Sequence, residues 1–211
     1  MNLRQELVWA GKELLRRKLT VYTAGNISVR AADGRGFYIK PSSVPYPDIQ
    51  PEDLVLVDWK GHILNGSRPS IEHNMHRLIY LARPDVSAVV HTHSNFATTL
   101  AASKMRCGIP EVLGEVWGYM GGPIDLAEYA PAGSMELAQN VVRCLGPNRH
   151  GILLKNHGAL AVGKTLKQAL DFAEIIEKSA ESLIMVQLLG GYDTEPENYR
   201  RQRDQKETSC A

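Results

Sequence analysis

Cysteine is scarce in this sequence, and its few cysteines form no pattern. Only Cys107, Cys144 and Cys210 occur in 211 residues, an odd number without the C-x-x-C spacing of thiolate sites. This scarcity argues against a disulfide framework and against a structural zinc site built from thiolates. It predicts a reducing environment, and we therefore expect a cytoplasmic protein.

Excess charge and long apolar segments are also lacking. The 24 basic residues nearly balance the 23 acidic ones, which gives a formal net charge of +1. Without a strong field of one sign, neither nucleic acid nor an acidic membrane surface is expected as a partner. No apolar run approaches the ~20 residues of a membrane-spanning helix, and the first residues lack a signal-peptide pattern. We expect a soluble protein without membrane association.

The hydrophobic pattern alternates between helices and short strands. Helical periods cover residues 2–18 and residues 165–190, whereas residues 109–120 are predicted as strand. Turn residues between strand-like runs predict hairpins, so an antiparallel or mixed sheet covered by helices is expected, in an α/β fold. We predict one domain over residues 1–192 and a polar, mobile tail over residues 193–211.

Two histidines one residue apart follow an apolar run. On a strand, the side chains of His91 and His93 would face the same side, about 6.6 Å apart at a rise of ~3.3 Å per residue. A third histidine, His157, follows a second apolar run and lies between Asn156 and Gly158. Three imidazoles with an open fourth position are typical of catalytic zinc. The pattern predicts a Zn²⁺ site, although manganese, cobalt or iron also suit such ligands.

A carboxylate lies near the start of a predicted helix over residues 70–82, with Ser70 as N-cap. The spacing puts Glu72 on the buried face, where an unpaired charge is costly. It therefore either pairs with a cation near the helix N-terminus or acts as a general acid and base beside the metal. His76, on the same face, is an alternative metal ligand, and His73 with His76 is a rival pair.

Small polar residues recur in three loops that could bind an anion. They are Gly25, Asn26, Ser42, Ser43 and Ser70. Backbone N–H groups and hydroxyls in such loops suit a phosphate group. Ordinary turn and cap roles are an equally simple interpretation of the same residues.

The motifs, in this order, resemble those of the class II aldolase/adducin-head family. The matching segments span nearly the whole chain before the last helix: Gly25-Asn26-Ile27-Ser28, Lys40-Pro41-Ser42-Ser43, Pro69-Ser70-Ile71-Glu72, His91-Thr92-His93 and Asn156-His157-Gly158. The family includes L-fuculose-phosphate aldolases and L-ribulose-5-phosphate 4-epimerases. Its fold is a central, mostly antiparallel sheet flanked by helices in three α/β/α layers.

The resemblance implies how each motif is used. Zinc would be held by His91, His93 and His157, while Glu72 would act as catalytic acid and base and could also bind the metal of the substrate-free site. The substrate phosphate would be bound by the loop residues at positions 26, 42, 43 and 70. The family also implies a homotetramer with active sites near the subunit interfaces.

The activity that the resemblance implies is that of a zinc-dependent aldolase, a carbon–carbon lyase of carbohydrate metabolism. It would cleave a phosphorylated ketose reversibly to dihydroxyacetone phosphate and an aldehyde through a metal-stabilised enediolate. With the same residues, related members catalyse other reactions. They act as a pentulose-phosphate 4-epimerase, as a decarboxylase of a phosphorylated 3-oxo acid or as a dehydratase of a thio-sugar phosphate. The adducin head is a non-catalytic interaction module.

Three positions depart from the family pattern. Ser43 stands where many members have glycine, and Ile71 replaces a second serine of the phosphate motif. Gly114 falls where the fuculose-phosphate aldolase has a tyrosine that acts across the subunit interface. Three residues could replace that tyrosine: Glu115, Tyr119 and Tyr129.

Overall fold

A computed structural model describes residues 2–66, 68–104, 108–111 and 113–191. The predicted tail over residues 193–211 lies outside the described residues. The helices are α1 (Leu3–Arg16), α2 (His73–Ala82), α3 (Asn95–Ala102), α4 (Gly114–Tyr119), α5 (Met135–Leu145) and α6 (Leu166–Leu188). The strands are β1 (Asn26–Arg30), β2 (Gly36–Ile39), β3 (Val55–Asp58), β4 (Ile63–Asn65), β5 (Ala88–Thr92), β6 (Leu126–Ala127), β7 (Gly151–Leu154) and β8 (Gly158–Gly163).

The strands form one sheet in the order β4-β3-β2-β1-β5-β8-β7-β6. Neighbouring strands are antiparallel throughout, except for the parallel pair of β6 and β7. Strand β5 therefore lies in the middle of the sheet, between β1 and β8. The prediction of a mostly antiparallel central sheet is confirmed.

Helices cover both faces of this sheet. On one face α1, α3, α4 and α6 pack against a core that includes Val90 and Leu153. On the other face α2 and α5 pack against residues that include Val89 and Leu154. Successive strand residues thus alternate between two buried cores, as expected for a sheet covered on both sides. The three-layer α/β/α prediction is confirmed.

Helix α2 begins later than the sequence predicted. Ser70 was expected as its N-cap, but the first helical residue is His73 and the N-cap position is taken by Glu72. The reason is that the chain is still extended at Ser70, whose backbone N–H donates to the carbonyl oxygen of Lys40 at 3.1 Å. Glu72 therefore lies at the helix boundary, beside the strands, and not within the first turn.

The strand predicted over residues 109–120 is mostly wrong. Ile109 forms only an isolated bridge with Ile124, and the later residues form the short helix α4. Val116 and Met120 are four residues apart and both fully buried, a spacing that suits a helix packed against the sheet. The run of apolar residues concealed this short helical period.

The other helix boundaries follow their sequence signals. Asn2 caps α1 in a reciprocal capping box with Gln5. The side chains of Ser134 and Thr165 accept backbone N–H bonds at the starts of α5 and α6. Within the described residues, none of the helices has the length and apolarity to cross a bilayer.

Candidate functional site

Three histidines meet where the central strands end. His91 lies within β5, His93 follows its last residue, and His157 occupies the tight turn between β7 and β8. Because β5 and β8 are neighbours, this turn lies beside the end of β5. Gly158 allows the approach, since a Cβ atom there would lie 2.2 Å from the carbonyl oxygen of Thr92. The structure therefore brings together the three residues that the sequence predicted as ligands.

The geometry of these imidazoles suits a single cation. One potential ligand atom from each of His91, His93 and His157 lies within 4.8 Å of the other two. The Nε2 atoms of His91 and His93 are 3.0 Å apart, and ring centroids are separated by 4.8 to 5.1 Å. His91 Nδ1 donates to the carbonyl oxygen of Ala159 at 2.8 Å, which leaves the Nε2 lone pair free for a metal.

Glu72 lies directly against this group and is only 5% exposed. Its Oε2 is 3.2 Å from His91 Nε2, and its Oε1 is 3.4 Å from His157 Nε2. The Nδ2 of Asn26 donates to Oε2 at 2.7 Å, whereas Oε1 is buried without a hydrogen-bond partner among the described residues. A cation beside the histidines would satisfy that orphaned oxygen. The residues present therefore fit a metal ion.

Burial and mutual electrostatics set the charges in the site. Burial opposes ionisation of Glu72, but His91, His157 and the Asn26 amide outweigh it, so the pKa of Glu72 lies far below its usual value. Burial and the positive field of His91 lower the pKa of His93 and His157 to about 4. Burial lowers the pKa of His91 too, but the adjacent carboxylate outweighs it and the net shift is upward. The ionised carboxylate and the two imidazoles with lowered pKa offer lone pairs to a divalent metal, which would displace the proton from His91 Nε2 on binding.

A buried chain of polar side chains continues behind Glu72. Asn26 Oδ1 is in a short hydrogen bond with His76 Nε2. His76 Nδ1 is 2.6 Å from Ser28 Oγ, which is 2.7 Å from the hydroxyl of Tyr80. Both nitrogens of His76 are thus engaged, and this residue is not among the three converging histidines. The His73 side chain instead donates through Nδ1 to the carbonyl oxygen of Ser70 in the preceding loop at 2.9 Å.

Two of the residues predicted to bind phosphate, Gly25 and Asn26, lie next to the histidines. Gly25 has a φ of +66°, and a Cβ atom there would lie 2.5 Å from the carbonyl oxygen of His91. Only glycine lets the chain approach β5 so closely at this point. Asn26 then pairs with His91 across the two strands.

The two serine loops lie side by side. Ser42 donates its backbone N–H to the carbonyl oxygen of Arg68 at 2.9 Å, and Ser70 donates its own to that of Lys40 at 3.1 Å. Lys40 in turn donates its backbone N–H to the carbonyl oxygen of Ile27 on β1 at 3.3 Å. These bonds connect both loops to the strand that carries Asn26.

Two departures from the family pattern have structural counterparts. Ser43 adopts a φ of +61°, a conformation that costs roughly 1–2 kcal/mol for an L-residue and that glycine adopts freely. The side chain at Ile71 is half exposed beside the serine loops. The backbone shape expected for glycine is therefore kept at position 43 despite the serine.

The three residues that could replace the interfacial tyrosine differ in their surroundings. Glu115 forms an ion pair with Lys178 on α6 and is already engaged. Tyr119 is 59% exposed at the end of α4, and Tyr129 is 55% exposed after β6. Tyr129 follows two residues after Ala127, whose carbonyl oxygen accepts the backbone N–H of Lys155 at 3.2 Å, at the start of the turn that carries His157.

Glu177 is a residue of this region that the sequence did not reveal. From α6, its carboxylate accepts the backbone N–H groups of Phe96 and Ala97 at 3.0 and 2.9 Å. These N–H groups belong to the first turn of α3, which begins two residues after His93. A carboxylate at a helix N-terminus is stabilising, and this one fixes the chain beside a candidate ligand. Because 81 residues separate Glu177 from Phe96 in the sequence, no local motif indicates this contact.

Acidification should destabilise the metal-free fold through His76. Burial, with His91 adding to it, lowers the pKa of His76 from 6.5 to about 3. Between these values the unfolded chain binds a proton that the folded chain does not, so stability falls as pH decreases below about 6.5. From pH 7 to pH 5 this side chain should cost about 2 kcal/mol of unfolding free energy. Urea unfolding of chelator-treated protein at both pH values measures the loss.

The matched variant for this measurement is His76→Gln, which has no titrating group. Its loss of unfolding free energy between pH 7 and pH 5 should be smaller than that of the unsubstituted protein by about 2 kcal/mol. Equal losses in both proteins would show that His76 is not held neutral by burial.

Comparisons with known proteins agree with this geometry. The family model described as the class II aldolase and adducin N-terminal domain matches residues 5–184. A 5-methylthioribulose-1-phosphate/5-deoxyribulose-1-phosphate aldolase of Rhodospirillum rubrum is 38% identical over 179 residues, covering 85% of this chain and 79% of the relative. An L-fuculose phosphate aldolase of Escherichia coli is 35% identical over 180 residues, covering 85% and 81%.

Solved structures show the same similarity in three dimensions. A structure of an L-fuculose 1-phosphate aldolase superposes with a TM-score of 0.87 at 32% sequence identity. The match covers 98% of this chain and 96% of that one. The similarity thus extends over the sheet and both helical layers.

Proposed function

The chain belongs to the class II aldolase and adducin N-terminal domain family, and from this premise we propose that it is a zinc-dependent, cytoplasmic sugar-phosphate aldolase. It would cleave a ketose 1-phosphate reversibly to dihydroxyacetone phosphate and an aldehyde. The observation that supports this proposal is the convergence of three imidazoles on a buried carboxylate. A non-catalytic interaction module would need neither group.

His91, His93 and His157 would hold the metal, with Glu72 as a further ligand in the substrate-free site. A divalent cation held by these residues would supply Lewis-acid chemistry and would stabilise the negative charge that develops on substrate oxygens. We propose Zn²⁺ because three imidazoles and an open position are its usual catalytic arrangement. The hydrogen bond from His91 Nδ1 to Ala159 orients that ring toward the site.

Glu72 would transfer the proton in this reaction. In the cleavage direction the carboxylate would take up the proton released from the hydroxyl group that becomes the aldehyde carbonyl as the carbon–carbon bond breaks, and would pass it to the carbon of the enediolate, which gives dihydroxyacetone phosphate. In the condensation direction its carboxylate removes a proton from the hydroxymethyl carbon. The oxygen without a hydrogen-bond partner, Oε1, is the one that is free to do so.

The phosphate would bind in the neighbouring loops. Asn26 donates one amide hydrogen to Glu72, and its second would donate to the phosphate. The backbone N–H groups and hydroxyls at Gly25, Ser42, Ser43 and Ser70 would complete the site. We further propose a homotetramer with active sites near the subunit interfaces, where Tyr119 or Tyr129 would meet the aldehyde.

The names of the relatives suggest which ketoses to test. Fuculose, 5-deoxyribulose and methylthioribulose phosphates share a phosphorylated end and differ in the aldehyde that cleavage would release. We propose a ketose 1-phosphate of this class as substrate. The same catalytic groups could also serve the epimerase, decarboxylase or dehydratase reactions of related members.

The proposal is tested with purified protein in three assays. We expect close to one zinc ion per chain by elemental analysis, release of dihydroxyacetone phosphate from at least one of the three ketose phosphates, and loss of this activity with a chelator. Added zinc should restore it. Metal-free protein with full activity would contradict the zinc requirement, and an epimer, CO2 or a dehydrated sugar as the only product would replace the aldolase proposal by another member's reaction.

A further inference from the structure

We propose that His76, with Ser28 and Tyr80 behind it, is a positioning residue that fixes the Asn26 amide so that its nitrogen faces Glu72. The consequence is that Oε2 of Glu72 is held and Oε1 is left to transfer the proton. This inference rests on the proposed function for its catalytic meaning, but its geometry can be tested without activity.

The proposed relay is continuous and buried. It runs from Tyr80 through Ser28, His76 and Asn26 to Glu72, with each neighbouring pair within hydrogen-bond distance. All five side chains are 5% exposed or less, and Ser28 and His76 are fully buried. Such a chain excludes water, so each donor must meet its own acceptor.

The relay has one consistent direction. An ionised Glu72 only accepts hydrogen bonds, so the Asn26 amide must present its nitrogen to it and its oxygen to His76. His76 must then carry its proton on Nε2, which leaves Nδ1 as an acceptor for the Ser28 hydroxyl. The oxygen of Ser28 can in turn accept the hydroxyl of Tyr80. The orientation of an amide that is 3% exposed is thus set from a tyrosine on α2.

The far end of the relay is held firmly. The Tyr80 ring lies 5.3 Å from that of Phe37 and 6.2 Å from that of Trp59. The Arg30 guanidinium lies 5.0 Å from the Tyr80 ring centroid and donates to the backbone carbonyl of the same residue at 2.9 Å. Packing of this kind keeps Tyr80 in one rotamer, so its hydroxyl is a fixed donor.

The role of the relay is to keep one oxygen of Glu72, Oε2, hydrogen-bonded to Asn26 and to leave the other, Oε1, free to accept or donate a proton. Without the donor on His76, the Asn26 amide could turn and present its oxygen to the carboxylate, which would repel Glu72 or rotate it. Residues that orient a catalytic group in this way typically contribute about 10–100-fold in activity. The reaction step concerned is the removal of a proton from the hydroxymethyl carbon of dihydroxyacetone phosphate. The carboxylate takes the proton, the electron pair of the broken C–H bond moves toward the carbonyl, and the reverse step returns a deuteron in deuterated water.

The test compares His76→Met with His76→Gln in the zinc-loaded enzyme. Methionine removes the donor, whereas the Nε2 of glutamine can still donate to Asn26. NMR should show that His76→Met slows deuterium exchange into dihydroxyacetone phosphate by about 10–100-fold, with zinc content unchanged, and that His76→Gln recovers most of the rate. His62→Gln, at an exposed histidine, serves as the control for substitution of a histidine as such.

A second measurement determines which ring nitrogen of His76 carries the proton. Nitrogen-15 NMR of the unsubstituted protein should show His76 protonated on Nε2 only. If His76 is protonated on Nδ1, or if His76→Met exchanges at the normal rate, the relay is overturned. If the tautomer is as expected but the unsubstituted enzyme exchanges no deuterium, the proposed aldolase function fails while the arrangement of the relay stands.

Discussion

Replacing His93 with alanine should remove both the metal and the activity. His93 is half-buried at the end of β5, so its loss should disturb the fold less than loss of the fully buried His91. Two imidazoles and Glu72 would remain, but Glu72 must leave the metal to transfer a proton, and two imidazoles alone are too few for a catalytic zinc site. If the cation contributes about 4 kcal/mol of transition-state stabilisation, cleavage should slow by about a thousandfold. Elemental analysis and a coupled assay of dihydroxyacetone phosphate measure the two effects.

The matched control is His62→Ala, because the His62 side chain is exposed and pairs with Asp58 at the surface. That variant should keep its zinc and its rate. Circular dichroism of His93→Ala must match that of the unsubstituted protein for the comparison to hold. A zinc-free His93→Ala variant that still cleaves the ketose at the normal rate would refute the ligand assignment.

Replacing Glu72 with glutamine should leave the metal bound and stop proton transfer. Glutamine has nearly the same shape, and its carbonyl oxygen can still accept the hydrogen bond from Asn26. It cannot take a proton, so both cleavage and deuterium exchange should fall by about 10²–10⁴-fold. The two rates should fall together, because both include the proton transfer to or from carbon.

The control for this substitution is Glu128→Gln, at an exposed carboxylate that pairs with Lys155 at 3.2 Å. It removes a charge without changing the buried group. If Glu72→Gln retains zinc together with most of the aldol activity, another residue must be the acid and base. If it loses zinc, the carboxylate is required to hold the metal, and its catalytic part must be measured after saturation with added zinc.

The converging histidines could be predicted because their arrangement follows from local rules. His91 and His93 share a side of one strand, and His157 follows the next apolar strand in a turn. The apolar run before His157 and the inward direction of Glu72 connected these residues to the first two, and the family resemblance implied the role of each. Apolar periodicity and turn residues predicted an antiparallel or mixed sheet covered by helices, and the family resemblance implied its three α/β/α layers.

The remaining features depend on partners that are distant in the sequence. His76 gave only the signal of a polar residue on a buried face, a signal that suggested an alternative metal ligand. Its partners, Asn26 and Ser28, come from a strand about fifty residues earlier, and no periodicity relates them. The start of α2 was misplaced for a similar reason, because the backbone of Ser70 is bound by Lys40.

The pairing of Asn26 with His91 across β1 and β5 makes this site a reporter of complete folding. Shifting the two strands by one residue would turn Asn26 and His91 to opposite faces of the sheet. The ligands, the carboxylate and its amide come from segments far apart in the chain, whose contacts must close long loops. A partly folded chain would have helices but no cation site, so regained zinc affinity during refolding would mark the moment at which the correct strand register is reached.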